Sequence, residues 1–127
     1  MKHATFAITA TLAILLACEL AHADLVPVTW DPSGHFAHQT KVPPGKFVEV
    51  CEKLPQGSKV RWSYKSAAPM DFNIHYHEGK DVKFPAKQNA SAGAEGVLDA
   101  ATEQDFCWMW ANRSKAAATL QLTLKRE

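Results

Sequence analysis

The chain has 127 residues, with 14 Lys+Arg against 13 Asp+Glu and a formal net charge of +1 at pH 7. So even a balance leaves no broad basic surface, which argues against nucleic acid or anionic membrane as partners recognised by charge. The length admits one domain with a single modest core, not two.

At the N-terminus, Lys2 precedes an apolar run from Ala4 to Ala17, followed by Cys18, Glu19 and the small-residue triplet Ala21-His22-Ala23. This is the order of a secretory signal peptide, so residues 1–23 are expected to be removed and residues 24–127 to form the exported domain, periplasmic or secreted. The apolar run falls short of the ~20 residues a bilayer-spanning helix needs, and no transmembrane span is expected. A second cut competes with the first: Leu15-Leu16-Ala17-Cys18 resembles a bacterial lipobox, by which the product becomes an envelope lipoprotein anchored through lipid on Cys18.

The exported part reads as short strands separated by turn chemistry. Leu25 to Trp30 is a weak strand, and His35 and His38 follow at a spacing with no strand logic, as loop residues. After Pro43-Pro44-Gly45, Phe47 to Cys51 is rich in strand formers and ends near Leu54-Pro55-Gln56-Gly57. Val60, Trp62 and Tyr64 alternate with Arg61, Ser63 and Lys65; Phe72, Ile74 and Tyr76 alternate with Asn73, His75 and His77 before a turn at Glu78-Gly79. Val82 to Phe84 and Val97 to Ala100 are weaker pieces, and Gln88 to Gly96 has the composition of a mobile surface loop. Phe106 to Trp110 is a further strong run, and Leu120, Leu122 and Leu124 alternate with Gln121, Thr123 and Lys125 in a C-terminal strand. Many short strands and no helical period predict an all-β fold, an antiparallel β-sandwich.

Removal of the leader leaves two cysteines, Cys51 and Cys107, in a compartment where disulfides persist. A bridge between them, joining the two layers, is expected to stabilise the fold by about 4 kcal/mol. The alternative, free thiols serving as metal ligands or redox groups, lacks the close C-x-x-C spacing that such work usually uses.

From Cys51 onward the order of features resembles the GOLD (Golgi dynamics) domain, the lumenal β-sandwich of secretory-pathway cargo receptors. The residues that carry the likeness are Cys51, Leu54 and Gly57, Val60 through Tyr64, Asp71-Phe72-Asn73-Ile74, Gly79 and Val82, Phe106-Cys107-Trp108 with Asn112, and the terminal alternating strand. They span about three-quarters of the exported part. The resemblance implies a GOLD-like sandwich with a Cys51 to Cys107 disulfide and a noncatalytic binding role. The coiled coil and membrane span of the cargo receptors have no counterpart in this sequence, so cargo-receptor function is not part of the expectation.

Strand alternation also yields a candidate site. With Phe72, Ile74 and Tyr76 facing the core, Asn73, His75 and His77 share the outer face. With Cys107 facing the core, Met109 joins it inside, and Phe106, Trp108 and Trp110 stand outside. Exposed paired tryptophans mark a contact site. If the two strands are neighbours, His75 and His77 stand beside Trp108 and Trp110, and the sharpest reading is a copper-type metal site. Its ligands are His75 and His77, with Met70 and Met109 as candidate thioether donors, and Asn73, Trp108 and Trp110 complete the ligand face. The alternative is a metal-free module that binds a protein or glycan through the same aromatic face.

Catalysis finds little support: Ser58, Ser63 and Ser66 lack a G-x-S-x-G setting, and the carboxylates are scattered. No enzymatic role is expected. Asn89-Ala90-Ser91 and Asn112-Arg113-Ser114 match the N-glycosylation acceptor pattern, relevant only in a eukaryotic host.

Overall fold

The alternations that mark the strands each settle one apolar face inward, and the structure, a computed structural model, shows how those faces meet. It describes residues 24–127; the expected signal peptide and the lipobox-like stretch ending at Cys18 lie outside them. Seven strands follow in order: β1 Asp24–Pro27, β2 His35–Val42, β3 Phe47–Leu54, β4 Lys59–Glu78, β5 Asp81–Asp99, β6 Gln104–Ala111 and β7 Ala118–Arg126. Among the described residues no helix is long and apolar enough to cross a membrane.

The two alternating runs read as separate strands, Val60 to Tyr64 and Phe72 to Tyr76, are halves of one 20-residue strand, β4. Its hairpin partner β5 absorbs both weaker pieces and also residues Gln88 to Gly96, which are strand and not loop. Along one edge β4 pairs with β5 from Lys59 to Glu78, with breaks in register. On the other edge, Val60–Ser66 pairs with β7 and Asp71–His75 pairs with β6. The long hairpin therefore belongs to two leaves: β1-β3-β6 continue one, and β7-β2 continue the other. All pairings are antiparallel except β1 with β3.

The sheet curls on itself where β4 loses register between Lys65 and Phe72. The cause is local. Ala67 and Ala68 offer little to pack, Pro69 has no N–H for the ladder, and the Ser66 hydroxyl donates to the Ala68 carbonyl at 2.6 Å. On β5 the matching irregularity is Ala90, at a φ of 51°, whose N–H donates to Asp71 Oδ1 at 3.0 Å.

Between the leaves lies one core. Val48, Val50, Phe72, Ile74, Phe106, Trp108 and Trp110 face Val60, Trp62, Tyr64, Leu120, Leu122 and Leu124 from the other leaf. Phe72 stacks on Trp110 at 5.4 Å between centroids, and Tyr64 meets the Trp110 edge at 5.6 Å. Each such side chain contributes roughly 1.5–3 kcal/mol on full burial.

Two loop residues lock the ends of this arrangement. Gly79, at a φ of 59°, allows the tight Glu78–Asp81 hairpin turn. Asn112 is wholly buried: its amide nitrogen donates to the Val42 and Ala116 carbonyls, and its oxygen accepts from the Ser114 N–H and hydroxyl. The Asn112-Arg113-Ser114 sequon is thus a structural tie and presents no free amide for a glycan.

Candidate functional site

The outer face of the first leaf carries the residues of interest, and strand register assembles them. Glu49 on β3 stands opposite Met109 on β6, Met109 opposite Asn73 on β4, and Asn73 opposite Lys87 on β5. In the next row Cys51 faces Cys107, and Cys107 faces His75. Glu49, Met109, Asn73, Lys87 and His75, together with His77, Asp71, Phe84 and Arg113, line a groove of about 470 Å³.

His75 is the centre of this face. The residue is 6 % exposed, its Nδ1–H donates to Asn73 Oδ1 at 2.7 Å, and its Nε2 lies 3.4 Å from Glu49 Oε1. Burial, more than any other influence, pulls its pKa below the usual histidine value; Glu49 opposes that shift and His77 adds to it. With the Nδ1–H donated to Asn73, the Nε2 atom is left 3.4 Å from a carboxylate oxygen. Two electron-rich atoms so placed are satisfied by a proton or by a cation between them.

The second histidine is within reach. The His77 ring lies edge-on to His75 at 5.4 Å between centroids and is exposed. Phe84, half exposed, lies tilted to the His75 ring at 6.1 Å between centroids, and the Lys87 ammonium sits over the Phe84 ring. Arg113 Nε donates to Asp71 Oδ2 at 3.1 Å at the groove end. Among the described residues no three His, Cys, Asp or Glu side chains converge as a ready-made metal site.

The structure corrects several sequence expectations. β4 and β6 are neighbours, but β6 has the opposite phase: Phe106, Trp108 and Trp110 are in the core, and Cys107 and Met109 face out. The aromatic contact face on Trp108 and Trp110 therefore does not exist, and the thioether expected to point inward, Met109, joins the groove. Met70 is fully buried in the core near the bend and reaches no outer-face group. Asn73 shares the outer face as expected, yet it is buried and serves to orient His75. The disulfide joins Cys51 to Cys107 as expected, but between adjacent strands of one leaf, not across the layers.

His35 and His38 lie on strand β2, not in a loop. His35 is exposed and bonded to Ser33, and His38 faces inward, stacked near Phe36, so neither joins the groove. Sequence reasoning missed Glu49, Phe84, Lys87 and Arg113. Glu49 had a signal, because Val48 and Val50 facing inward send it out, but only pairing shows which histidine it meets.

The fold and this face define a class, a disulfide-bonded β-sandwich with one polar, partly enclosed outer groove. No family model and no curated protein sequence matches the chain. Solved structures of similar fold include a periplasmic inhibitor of g-type lysozyme, PliG, from Aeromonas hydrophila, with a TM-score of 0.65 at 10% identity over 83% of this chain and 97% of that one. PliG from Salmonella Typhimurium follows at 0.61 and 11% identity, over 84% of this chain and 100% of that one. The pre-peptidase C-terminal domain of a Bacillus anthracis collagenase gives 0.60 and 11%, over 84% of this chain and 97% of that one. At such identities the likeness establishes the β-sandwich fold.

Proposed function

We propose that this chain is a non-enzymatic exported binding protein whose ligand seat is the groove over β6 and the second half of β4, and that its ligand there is a copper-type transition-metal ion. The carrying observation is His75, with Nδ1 committed to Asn73 and Nε2 3.4 Å from the Glu49 carboxylate. Hydrogen bonding of the non-ligating nitrogen is the usual support for a metal-binding imidazole. His77 and the Met109 thioether, on the same face, complete a nitrogen, oxygen and sulfur donor set suited to copper. The leader-like N-terminus supports export, as do the periplasmic proteins of similar fold. Those inhibitors, and the order of features that resembles the GOLD domain, also support a noncatalytic role.

The test is metal titration of residues 24–127 with the disulfide intact. Wild type is expected to take up one copper ion, and His75→Ala with His77→Ala to abolish uptake while the β-sheet circular dichroism is retained. Undiminished uptake in that folded variant refutes the site.

A second reading, a metal-free protein partner on the same face, is favoured by Val82 and Phe84, 40% and 50% exposed at the groove rim. The similar-fold proteins described as inhibitors of lysozyme, itself a protein, lend it weight. Capture of a partner that is lost in Phe84→Ala and indifferent to chelators selects this reading over the first.

A further inference from the structure

Cys51 and Cys107 face each other on β3 and β6 with their Cα atoms 4.1 Å apart, and His75 stands directly opposite Cys107 on its other side. Directly paired residues project to the same face of a sheet. Two sulfurs and one imidazole therefore form a single row across three strands, with the cysteines half-buried and the histidine buried. In sequence the cysteines are 56 residues apart. Strand pairing supplies the closeness that a C-x-x-C motif would otherwise provide.

We propose that reduction of this disulfide by a dithiol opens a second metal seat, in which the Cys51 and Cys107 thiolates and His75 Nε2 hold monovalent copper. In the exchange, one thiolate of the dithiol attacks a protein sulfur, breaking the S–S bond and forming a mixed disulfide. The second thiol of the reductant then displaces that sulfur, and the dithiol departs as its own cyclic disulfide. Two electrons and two protons have passed to Cys51 and Cys107, and the thiol protons are released when the metal binds. Thiolates favour Cu(I) over the harder nitrogen and oxygen donors of the open groove.

Two observations give this row the means to work. The β3–β6 ladder runs from Phe47 opposite Ala111 to Leu54 opposite Gln104, so register does not depend on the bridge. Val48, Val50, Phe106 and Trp108 anchor the same strands in the core from the opposite face. The new seat shares His75 with the groove but uses neither His77, Glu49 nor Met109, so it goes beyond the reading above and is separable from it.

The experiment compares oxidised residues 24–127, the same protein reduced with dithiothreitol and freed of reductant without oxygen, and the variant Cys51→Ser with Cys107→Ser. Each is titrated with Cu(I) in competition with bathocuproine disulfonate, with circular dichroism recorded in parallel. Reduced wild type is expected to bind Cu(I) at least about tenfold more tightly than either other form. His77→Ala, which damages the groove seat, is expected to keep that gain. Equal affinity in reduced wild type and the folded double-serine variant overturns the proposal, as does loss of the β-sheet signal on reduction. A gain on reduction with no copper bound by the oxidised protein sustains this proposal while refuting the groove reading.

Discussion

The two leaves carry grooves of nearly equal size on their outer faces, about 470 Å³ on the β3-β6 leaf and about 490 Å³ on the β7-β2 leaf. Their chemistry differs in charge. On the second leaf, Ser63 Oγ and Thr123 Oγ1 lie 2.7 Å apart and the Gln121 amide donates to Gln39 Oε1, while His38 Nε2 and the Tyr64 hydroxyl are buried without a hydrogen-bond partner among the described residues. On the first, Asn73 takes one nitrogen of His75 and leaves the other facing a carboxylate. Concavity alone says little about binding; the chemical difference is that the first groove sets the carboxylates of Glu49 and Asp71 beside two imidazoles, whereas among the described residues no carboxylate lines the second.

On their inner sides the leaves are alike, and the largest expected effect tests that. Trp108→Ala on one leaf and Trp62→Ala on the other should each cost about 3–5 kcal/mol in chemical denaturation, because both empty a core position. A cost below about 1 kcal/mol for Trp108→Ala would return that residue to the surface and reverse the phase of β6.

Next in size is the disulfide, which only the first leaf carries. Cys51→Ala with Cys107→Ala is expected to lower stability by about 4 kcal/mol, since the bridge closes a long loop in the unfolded chain. An unshifted denaturation midpoint would show that strand pairing alone carries this leaf.

The smallest effect is pH dependence. Burial lowers the folded-state pKa of His75 below its unfolded value of 6.5, so the unfolded chain binds the proton more readily. Stability from this group is complete above pH 6.5 and is lost as pH falls through the lower folded value. His75→Gln should flatten that acid limb, whereas Ser63→Ala on the other leaf should leave it unchanged; the comparison is read from denaturation midpoints across the pH range.

Much of the fold was legible because alternation reports which residues share a side. Val48 with Val50, Phe72 with Ile74, and the three leucines of β7 all turn inward as their period requires. The phase of Phe106 to Trp110 was not legible, since every residue in that run is apolar and either phase buries something large. Cys107 was the misleading cue: a disulfide between layers needs inward cysteines, whereas one between adjacent strands is satisfied outside. Residues Gln88 to Gly96 look like a loop by composition, and become strand because β4 offers a continuous partner edge. The site was legible to the extent of His75 and His77 on one face, with Phe84 a few residues beyond the Glu78-Gly79 turn; Glu49 comes from a strand whose adjacency no local pattern encodes.

The long β4–β5 hairpin also has a bearing on how the chain reaches this state. Its residues meet across a two-residue turn, while β2 with β7 joins opposite ends of the described chain. Closing a loop tenfold longer costs about 2 kcal/mol more in chain entropy. The hairpin is therefore the least expensive pairing to form first, and because it already spans both leaves, it offers the later strands an assembled edge on each. In kinetic language, the strand that shapes the groove is also the template on which the rest of the sheet condenses.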